Sequence, residues 1–363
     1  MAKAALFGCV LVGALYVSIA LGTNVVAITG VAQHQIQLND SETLEEVQTI
    51  LVERLQFRGI KLLQLVSLGE YVYVTAVWNL QSIILQYEIL PTTNTLEFVK
   101  YETFASLCIQ PLALTASYDY SDQLALALAC SETALVVDPE TLEITGIFIL
   151  PEISGISVET VVDVALSANY IYVTFTTKPQ SDDDKSEGLL VQFSRTTLAV
   201  VNWSIVRGQS SHLQIAGSSE LFLTSSGNGA SYLSQLNPKT LEEIDRVNPQ
   251  GFEFLQMTMT PDLKSLFMYI QKSGLNAGRV RNFDQTVYPA EKSCADVRIE
   301  MSPASQPIVT DHYLFIRSST SMTRFTFDDL GCPRQGTQTS YALDLPADSS
   351  GVAIACRECL SIS

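Results

Sequence analysis

Short apolar runs rich in aromatic and β-branched residues recur along the chain at nearly constant spacing. Their starts are separated by 46, 53, 46, 51, 45 and 47 residues, and each run has the length and composition of a β-strand. The copies are VVAIT from Val25, YVYVT from Tyr71, LALAL from Leu124, YIYVT from Tyr170, LFLT from Leu221, LFMYI from Leu266 and YLFI from Tyr313. Self-similarity at a fixed period marks a repeat architecture, so the pattern predicts seven repeats of about 49 residues.

A polar corner, in its fullest form Asp/Asn-Pro-x-Thr-Leu-Glu, follows each run. An Asp or Asn side chain that caps the backbone, followed by a proline with φ near about −65°, predicts a type I turn. We expect the Thr-Leu pair to begin the next strand. The corners are SETLEE from Ser41, TNTLEF from Thr93, DPETLE from Asp138, RTTLAV from Arg195, NPKTLE from Asn237, DQTVYP from Asp284 and the looser FDDLG around Asp328.

Each run except the first is also preceded by an apolar strand that ends in turn-forming residues, as in KLLQLVSLGE from Lys61 and VVDVALSANY from Val161. A repeat therefore consists of strand A, turn, strand B, loop, strand C, corner and strand D. Helical periodicity is nearly absent. The segment Glu42–Leu55 fits either a short helix or strand D of its repeat, and we favour the strand.

Seven repeats of four antiparallel strands predict an all-β fold, a seven-bladed β-propeller of four-stranded antiparallel blades. A straight solenoid is the alternative, but it needs polar capping repeats that neither end supplies. The chain after its first residues begins with a B-type strand, Val25–Thr29, and ends with a surplus apolar strand, Gly351–Cys356. We expect the first blade to be closed by this C-terminal strand, because such closure removes an open sheet edge.

The YVYVT and YIYVT runs, together with the corners at Asp138 and Asn237, resemble the YVTN and WD40-like (quinoprotein-like) β-propeller superfamily. The resemblance covers residues 25–356 and implies the propeller fold. True WD40 signatures are missing, since the chain has only Trp78 and Trp203 and no Trp-Asp or Gly-His dipeptide. The superfamily includes lactonases, cyclotransferases, quinoprotein dehydrogenases and pure binding proteins, so the resemblance does not choose a function.

The first 22 residues have the pattern of a secretory signal peptide. Lys3 precedes an uninterrupted apolar run from Ala4 to Leu21, and Ala20 and Gly22 are small residues before a cut at Thr23. An uncleaved membrane anchor is the alternative, since 18 apolar residues lie at the lower limit of a spanning helix. We expect cleavage, which leaves residues 23–363 as a single propeller domain with no membrane insertion.

Six cysteines follow the signal segment, and an even number in an exported chain favours disulfides over metal binding or redox chemistry. Their spacing leaves the connectivity open. A zinc site would need four ligands, and the single CxxC near the C-terminus has no partner motif. The candidates are Cys108, Cys130, Cys294, Cys332, Cys356 and Cys359.

Two sequons, at Asn39 and Asn202, predict N-glycosylation in a secretory pathway. Only 16% of residues are charged, and 38 acidic against 21 basic side chains give a net charge of −17. This excess of negative charge argues against binding to nucleic acid or to anionic lipid, both of which need a basic surface.

The candidate ligand-binding residues lie in the longest B–C loop, in the run Asp182, Asp183, Asp184 and Glu187. Three adjacent carboxylates could hold Ca²⁺, but the DxDxDG spacing is absent, and a solvated loop is the better interpretation. The imidazoles of His34, His212 and His312 fall in three different repeats. We expect neither a metal site nor a general base there.

The sequence contains no GxSxG, HExxH, P-loop or Rossmann pattern, so we assign no catalytic residue, metal or cofactor. We expect a secreted binding module for an extracellular protein or glycan. The alternative is a hydrolase or lyase, lactonase-like or cyclotransferase-like, with carboxylates in the central funnel. A purely structural part of a larger assembly is the third hypothesis.

Overall fold

The computed structural model describes residues 25–355 apart from short gaps. The gaps are 31–33, 56, 69, 91, 105–106, 109–110, 119–123, 131–132, 150–152, 154, 179–186, 207, 217–219, 228–229, 249–250, 260–264, 272–277, 285–290, 293, 295–296, 300–306, 311, 319–320, 329–330 and 343–351. The expected signal segment, the acidic triplet at 182–184 and the last two cysteines lie outside the described residues.

The described chain is almost entirely β-structure. In chain order the strands are β1 (Val25–Gly30), β2 (Gln35–Asp40), β3 (Glu46–Leu51), β4 (Lys61–Leu68), β5 (Tyr71–Trp78), β6 (Gln81–Leu90), β7 (Thr95–Thr103), β8 (Pro111–Tyr118), β9 (Leu124–Cys130), β10 (Thr133–Val137), β11 (Ile144–Ile149), β12 (Val158–Leu166), β13 (Tyr170–Thr177), β14 (Gly188–Ser194), β15 (Val200–Val206), β16 (Gln209–Ala216), β17 (Glu220–Gly227), β18 (Ala230–Leu236), β19 (Glu243–Val247), β20 (Glu253–Met259), β21 (Ser265–Gln271), β22 (Gly278–Asp284), β23 (Glu291–Lys292), β24 (Val297–Ile299), β25 (Ile308–Val309), β26 (Tyr313–Arg317), β27 (Ser321–Thr326), β28 (Thr339–Ala342) and β29 (Val352–Ala355). Within the segment Glu42–Leu55, residues Glu46–Leu51 form the last strand of its sheet, as we favoured, and one 3₁₀ turn, Val52–Leu55, follows it.

These strands form seven antiparallel sheets, which we number from the N-terminus. Sheet 1 has the order β29-β1-β2-β3, with Val25 opposite Ala355 and Ile28 opposite Val352. Sheets 2, 3, 4 and 5 are β4–β7, β8–β11, β12–β15 and β16–β19; sheet 6 is β20–β23 with β24 paired to β22, and sheet 7 is β25–β28. Every predicted B strand is the second strand of its sheet.

The sheets are arranged as a propeller, which confirms the predicted all-β class. The first strands of neighbouring sheets contact one another in the order β29, β4, β8, β12, β16, β20 and β25, and β25 contacts β29 again. Apolar clusters fill the spaces between sheets. Phe148 of sheet 3 packs against Phe193 of sheet 4 with ring centroids 5.3 Å apart, for example.

The corner aspartate caps the main chain as predicted, but the residues that lead from the turn into the next strand differ from the prediction. Asp138 Oδ1 accepts hydrogen bonds from the main-chain N–H groups of Glu140 (2.9 Å) and Thr141 (2.7 Å). The prediction that Thr-Leu begins the next strand is confirmed at Thr95-Leu96, where β7 begins, but it is wrong at this corner, because Leu142 has φ 62° and β11 begins only at Ile144. A left-handed leucine closes the turn and buries its side chain. The same conformation occurs at Leu44, Leu198 and Leu241.

A tyrosine and a glutamine attach each of two corners to the preceding sheet. The Tyr172 hydroxyl donates to the Pro238 carbonyl oxygen at 2.8 Å, and Gln192 Nε2 donates to the same oxygen at 2.9 Å. Tyr73 and Gln86 bind the Pro139 carbonyl in the same way. The second tyrosine of the YVYVT and YIYVT runs is therefore an inter-sheet fastener.

Arginine takes over this task between sheets 7 and 1. Arg324 pairs with Phe315 in the register in which Gln192 pairs with Tyr172. Its Nη1 donates to the carbonyl oxygens of Ser41 (2.9 Å) and Glu42, in the corner of sheet 1. These hydrogen bonds connect sheet 7 to sheet 1.

Four of the predicted cysteine candidates form two disulfides. The first joins the segment before β8 to β9 in sheet 3, and the second connects sheets 6 and 7. Cys108 bonds to Cys130 with Cα atoms 5.2 Å apart, and Cys294 bonds to Cys332 with Cα atoms 5.5 Å apart. Among the described residues, no helix is long and apolar enough to cross a membrane.

Candidate functional site

The first strands of the sheets carry a repeated polar position. In β4, β12 and β16 a bulge precedes Gln64, Asp163 and His212, respectively. The main-chain N–H of each donates to a threonine Oγ1 on the adjacent second strand, at 3.2 Å (Thr75), 3.1 Å (Thr174) and 3.1 Å (Thr224). The three side chains are therefore structurally equivalent members of different repeats.

Two of these side chains bridge to the next first strand. Gln64 Oε1 accepts the Leu114 N–H at 2.7 Å, and Asp163 Oδ2 accepts the Leu213 N–H at 2.9 Å. Asp163 Oδ1 also accepts the Val164 N–H at 2.8 Å. A neutral amide and a carboxyl perform the same bridging at equivalent positions, which indicates a structural role for both.

Asp163 differs from Gln64 because an imidazole lies beside it. His212 Nδ1 is 3.8 Å from Asp163 Oδ2, and the side chains are 31% and 17% exposed, respectively. Burial raises the pKa of Asp163 to about 7, although the two main-chain N–H donors act in the opposite direction. Burial thus favours the neutral form of this carboxyl more than in an exposed aspartate, and the 3.8 Å separation from the imidazole is longer than a hydrogen bond.

The other histidines lie elsewhere. His34 Nε2 is 3.7 Å from Glu53 Oε1 at the edge of sheet 1, and exposed His312 contacts the Tyr313 ring in sheet 7. Within the described part of the chain, no group of three or more His, Cys, Asp or Glu side chains is placed to hold a metal ion.

The acidic loop remains a prediction, since Asp182, Asp183 and Asp184 lie outside the described residues. Glu187 is described and exposed, immediately before β14. Its carbonyl oxygen accepts the Thr177 N–H (3.2 Å) and Oγ1–H (2.8 Å), which closes the loop at its base.

A second B–C hairpin, between β5 and β6, presents an apolar tip. Asn79 and Leu80 have φ values of 51° and 63°, as in a type I′ turn. Asparagine tolerates this conformation, and the second position favours glycine. Leu80 is 89% exposed, whereas the left-handed leucines at corners 44, 142 and 241 are at most 2% exposed and the one at corner 198 is 41% exposed. Leu80 thus carries the strain of a left-handed leucine without burying its side chain.

The sequons lie in different environments. Asn39 is 1% exposed, and its Nδ2 donates to the Leu44 carbonyl oxygen at 2.9 Å. That nitrogen is the glycan attachment atom, so the fold counts against a glycan at Asn39. Asn202 is half-buried on β15, and its Nδ2 donates to Thr240 O at 2.7 Å, so a glycan there would displace one inter-sheet hydrogen bond.

Sequence reasoning missed the Asp163–His212 pair and the Leu80 tip. Thr174 follows Asp163 by 11 residues and Thr224 follows His212 by 12, so alignment of the repeats on these threonines brings the two side chains within one position of each other. Leu80 could not have been found, because Asn-Leu is not a type I′ signature and exposure is a property of the folded chain.

Comparison with known proteins supports the fold alone. No protein-family model matches the chain, and no curated protein matches it. The solved structure of the Dos1 propeller is similar over 89% of this chain and 76% of its own, with a TM-score of 0.56 and 8% identity. The structure of apo AztD from Citrobacter koseri is similar over 92% of this chain and 98% of its own, with a TM-score of 0.57 and 12% identity.

Proposed function

We propose that the protein is a secreted β-propeller that binds an extracellular protein through its B–C loops. The observation that carries the proposal is Leu80, 89% exposed at a hairpin tip with φ 63°. A left-handed leucine costs roughly 1–2 kcal/mol relative to the right-handed form, and here no buried side chain offsets this cost. An apolar pocket on a protein partner would offset it, and a polar glycan would not.

The acidic loop belongs to the same proposed surface. It joins β13 and β14, as the Leu80 hairpin joins β5 and β6, and connections between second and third strands emerge at one face of a propeller. The carboxylates of Asp182, Asp183, Asp184 and Glu187 would then favour a partner that carries a basic patch beside its apolar pocket.

We further propose that the seven sheets are seven blades of one closed ring, with β29 completing the first blade. The register of β29 on β1, the circuit of first-strand contacts and the Arg324 bonds support this arrangement. Cysteines introduced by Val26→Cys and Ile354→Cys, which are register partners, should form a disulfide seen as faster migration on a non-reducing gel. The off-register pair Val26→Cys with Val352→Cys is the control, and equal cross-linking of both pairs would contradict the closure.

Secretion is part of the same proposal. An N-terminal segment with the pattern of a signal peptide and two disulfides in the structure both fit an oxidising compartment. Expression of the full chain in a eukaryotic secretory host, followed by sequencing of the N-terminus of the medium fraction, tests it. We expect a mature chain that begins at Thr23.

The binding proposal is tested by comparing the purified mature chain with its Leu80→Gly variant as immobilised baits in extracellular fluid. We expect a protein retained by the wild type and lost with Leu80→Gly, confirmed by titration of that purified protein. Leu107→Ala is the matched control, since Leu107 is also exposed (36%) but lies between β7 and β8, outside the B–C loops. Retention unaffected by Leu80→Gly would refute the role of this tip.

A hydrolase or lyase is the second candidate, favoured by the Asp163–His212 pair on neighbouring first strands. Both Asp163 oxygens already accept hydrogen bonds from main-chain N–H groups, which argues against a catalytic role for this carboxyl. Turnover of a lactone or an N-terminal glutaminyl peptide that is abolished by Asp163→Asn in a folded protein would establish the enzyme. A chain inactive on such substrates would leave the binding proposal.

A further inference from the structure

Exposed apolar side chains are concentrated on the outer strand of sheet 4. Val201, Trp203 and Ile205 are 51%, 44% and 48% exposed. Residues two apart on a strand share a face, and Trp203 and Ile205 pair in register with Val191 and Leu189, which are buried between sheets 3 and 4. The apolar core between these sheets therefore extends outward to an exposed stripe on β15.

The edge beside this stripe is open. β15 is the last strand of its sheet, and the Trp203 N–H points away from β14, since it donates to its neighbour Asn202 Oδ1 at 2.9 Å. Soluble proteins usually protect such edges with charged residues. The outer strands β3, β7 and β19 contain glutamates, whereas β15 (VVNWSIV), like the shorter outer strands β11 and β28, contains no charged residue, and β15 carries the exposed tryptophan.

We propose that β15 pairs antiparallel with β15 of a second copy of the chain, about a two-fold axis at Trp203. A symmetric contact must match a surface to itself. With Trp203 opposite itself, Val201 faces Ile205 and Asn202 faces Ser204. Apolar residues then meet apolar residues, small polar residues meet small polar residues, and the two indole rings form a cross-strand aromatic pair.

The charge of the protein also favours a second copy of the chain as the partner of β15. Two copies that each carry a net charge of −17 repel one another, and this repulsion opposes association least where the contacting surfaces carry no charge. The uncharged, self-matching edge meets that condition. Two paired strands bury less than the roughly 1,600 Å² of a standard interface, so we expect a weak dimer with a dissociation constant on the order of micromolar.

Sedimentation velocity on the full mature chain tests the dimer. The chain is produced by secretion in a host that adds no N-glycans, which keeps Asn202 free of a glycan next to Trp203 and leaves Ser204 in place. We expect dimer to appear as the concentration rises from about 1 to about 100 µM, and Trp203→Lys to weaken it at least about tenfold. Melting temperature checks that the variant is folded. Val99→Lys is the matched control, since Val99 is equally exposed (44%) on the outer strand β7.

The register has its own test. Val201→Lys and Ile205→Glu should each weaken the dimer, because each places one charge against an apolar partner. The double variant should regain it, since the introduced ammonium and carboxylate then face each other twice across the axis. A chain that stays monomeric at every concentration overturns the proposal and leaves the edge to a strand of another protein. Equal loss with Val99→Lys, or no recovery in the double variant, also overturns it.

Discussion

The hydroxyl group of Tyr172 donates a 2.8 Å hydrogen bond to the carbonyl oxygen of Pro238, 66 residues further along the chain. Tyr73 makes the equivalent bond to Pro139 across the same 66-residue separation. Burial raises the pKa of Tyr172 to about 12, so the hydroxyl keeps the proton that it donates at neutral pH. A tyrosine that looks like a strand-forming residue in the sequence therefore holds two sheets together.

This contact predicts a coupled effect on stability. Tyr172→Phe should lower the free energy of unfolding by about 1 kcal/mol, since Gln192 still satisfies the buried Pro238 carbonyl. Gln192→Leu alone should also lower the free energy of unfolding by no more than about 1 kcal/mol, because the Tyr172 hydroxyl still donates to the Pro238 carbonyl oxygen. The double variant leaves the acceptor without either donor, so it should exceed the sum of the single variants by about 1–2 kcal/mol. Urea denaturation of all three variants measures the coupling, and strict additivity would contradict it.

Two left-handed leucines should respond to glycine with opposite signs. Leu80→Gly relieves backbone strain and loses little burial, so it should raise the free energy of unfolding by about 0.5–1 kcal/mol. Leu142→Gly relieves the same strain but removes a fully buried side chain, so it should lower stability by about 2–4 kcal/mol. Thermal and urea unfolding measure both changes. A destabilised Leu80→Gly variant would show that the tip is structural.

The Asp163 carboxyl predicts a pH dependence. Its pKa is about 7 in the folded protein and lower in the unfolded chain, so the folded state binds the proton more tightly between roughly pH 4 and 7. The contribution of this group to stability is therefore fully present below about pH 4 and is lost as the pH rises through 7.

The measurement compares wild type with Asp163→Asn, which cannot ionise. The free energy of unfolding of the wild type should fall relative to that of the variant between pH 5 and about pH 8. The His212 imidazole lies 3.8 Å from the Asp163 carboxyl, so its charge state bears on the same measurement. A His212→Asn variant in the same series separates its contribution. Parallel pH profiles for wild type and Asp163→Asn would refute the raised pKa.

The two disulfides should contribute unequally. Cys108–Cys130 spans 22 residues and Cys294–Cys332 spans 38. Loop-closure entropy then predicts losses of about 3 and about 4 kcal/mol when each pair is replaced by alanine. Urea denaturation of the two double variants gives the comparison. The larger loss from removing the shorter loop would mean that local packing outweighs chain entropy.

Much of the fold could be predicted because the residues of a strand and its flanking turns are sufficient to identify it. The run YIYVT from Tyr170 is rich in β-branched and aromatic residues, and it forms β13, in which five consecutive residues are buried. The corner cap at Asp138 was equally readable, since an aspartate followed by proline determines its own turn. Leu142 was not, because a left-handed leucine is unfavourable locally and is stabilised only by burying its side chain in the core.

The candidate site was less predictable, since it depends on contacts between repeats. His212 and Asp163 are 49 positions apart, and only the stacking of sheets 4 and 5 brings them together. Asn39 shows the opposite case: its sequon is complete in the sequence, but the fold buries its side-chain amide, and glycosylation there stays a prediction. A short motif depends only on neighbouring residues, whereas the accessibility of its side chains depends on the whole fold.

The register of β29 on β1 has a consequence for biosynthesis. Residues near position 25 emerge first from the ribosome, yet their hydrogen-bonding partners near position 354 emerge almost last. For nearly the whole time of translation, the strand formed by the earliest of these residues therefore lacks one of its two neighbouring strands.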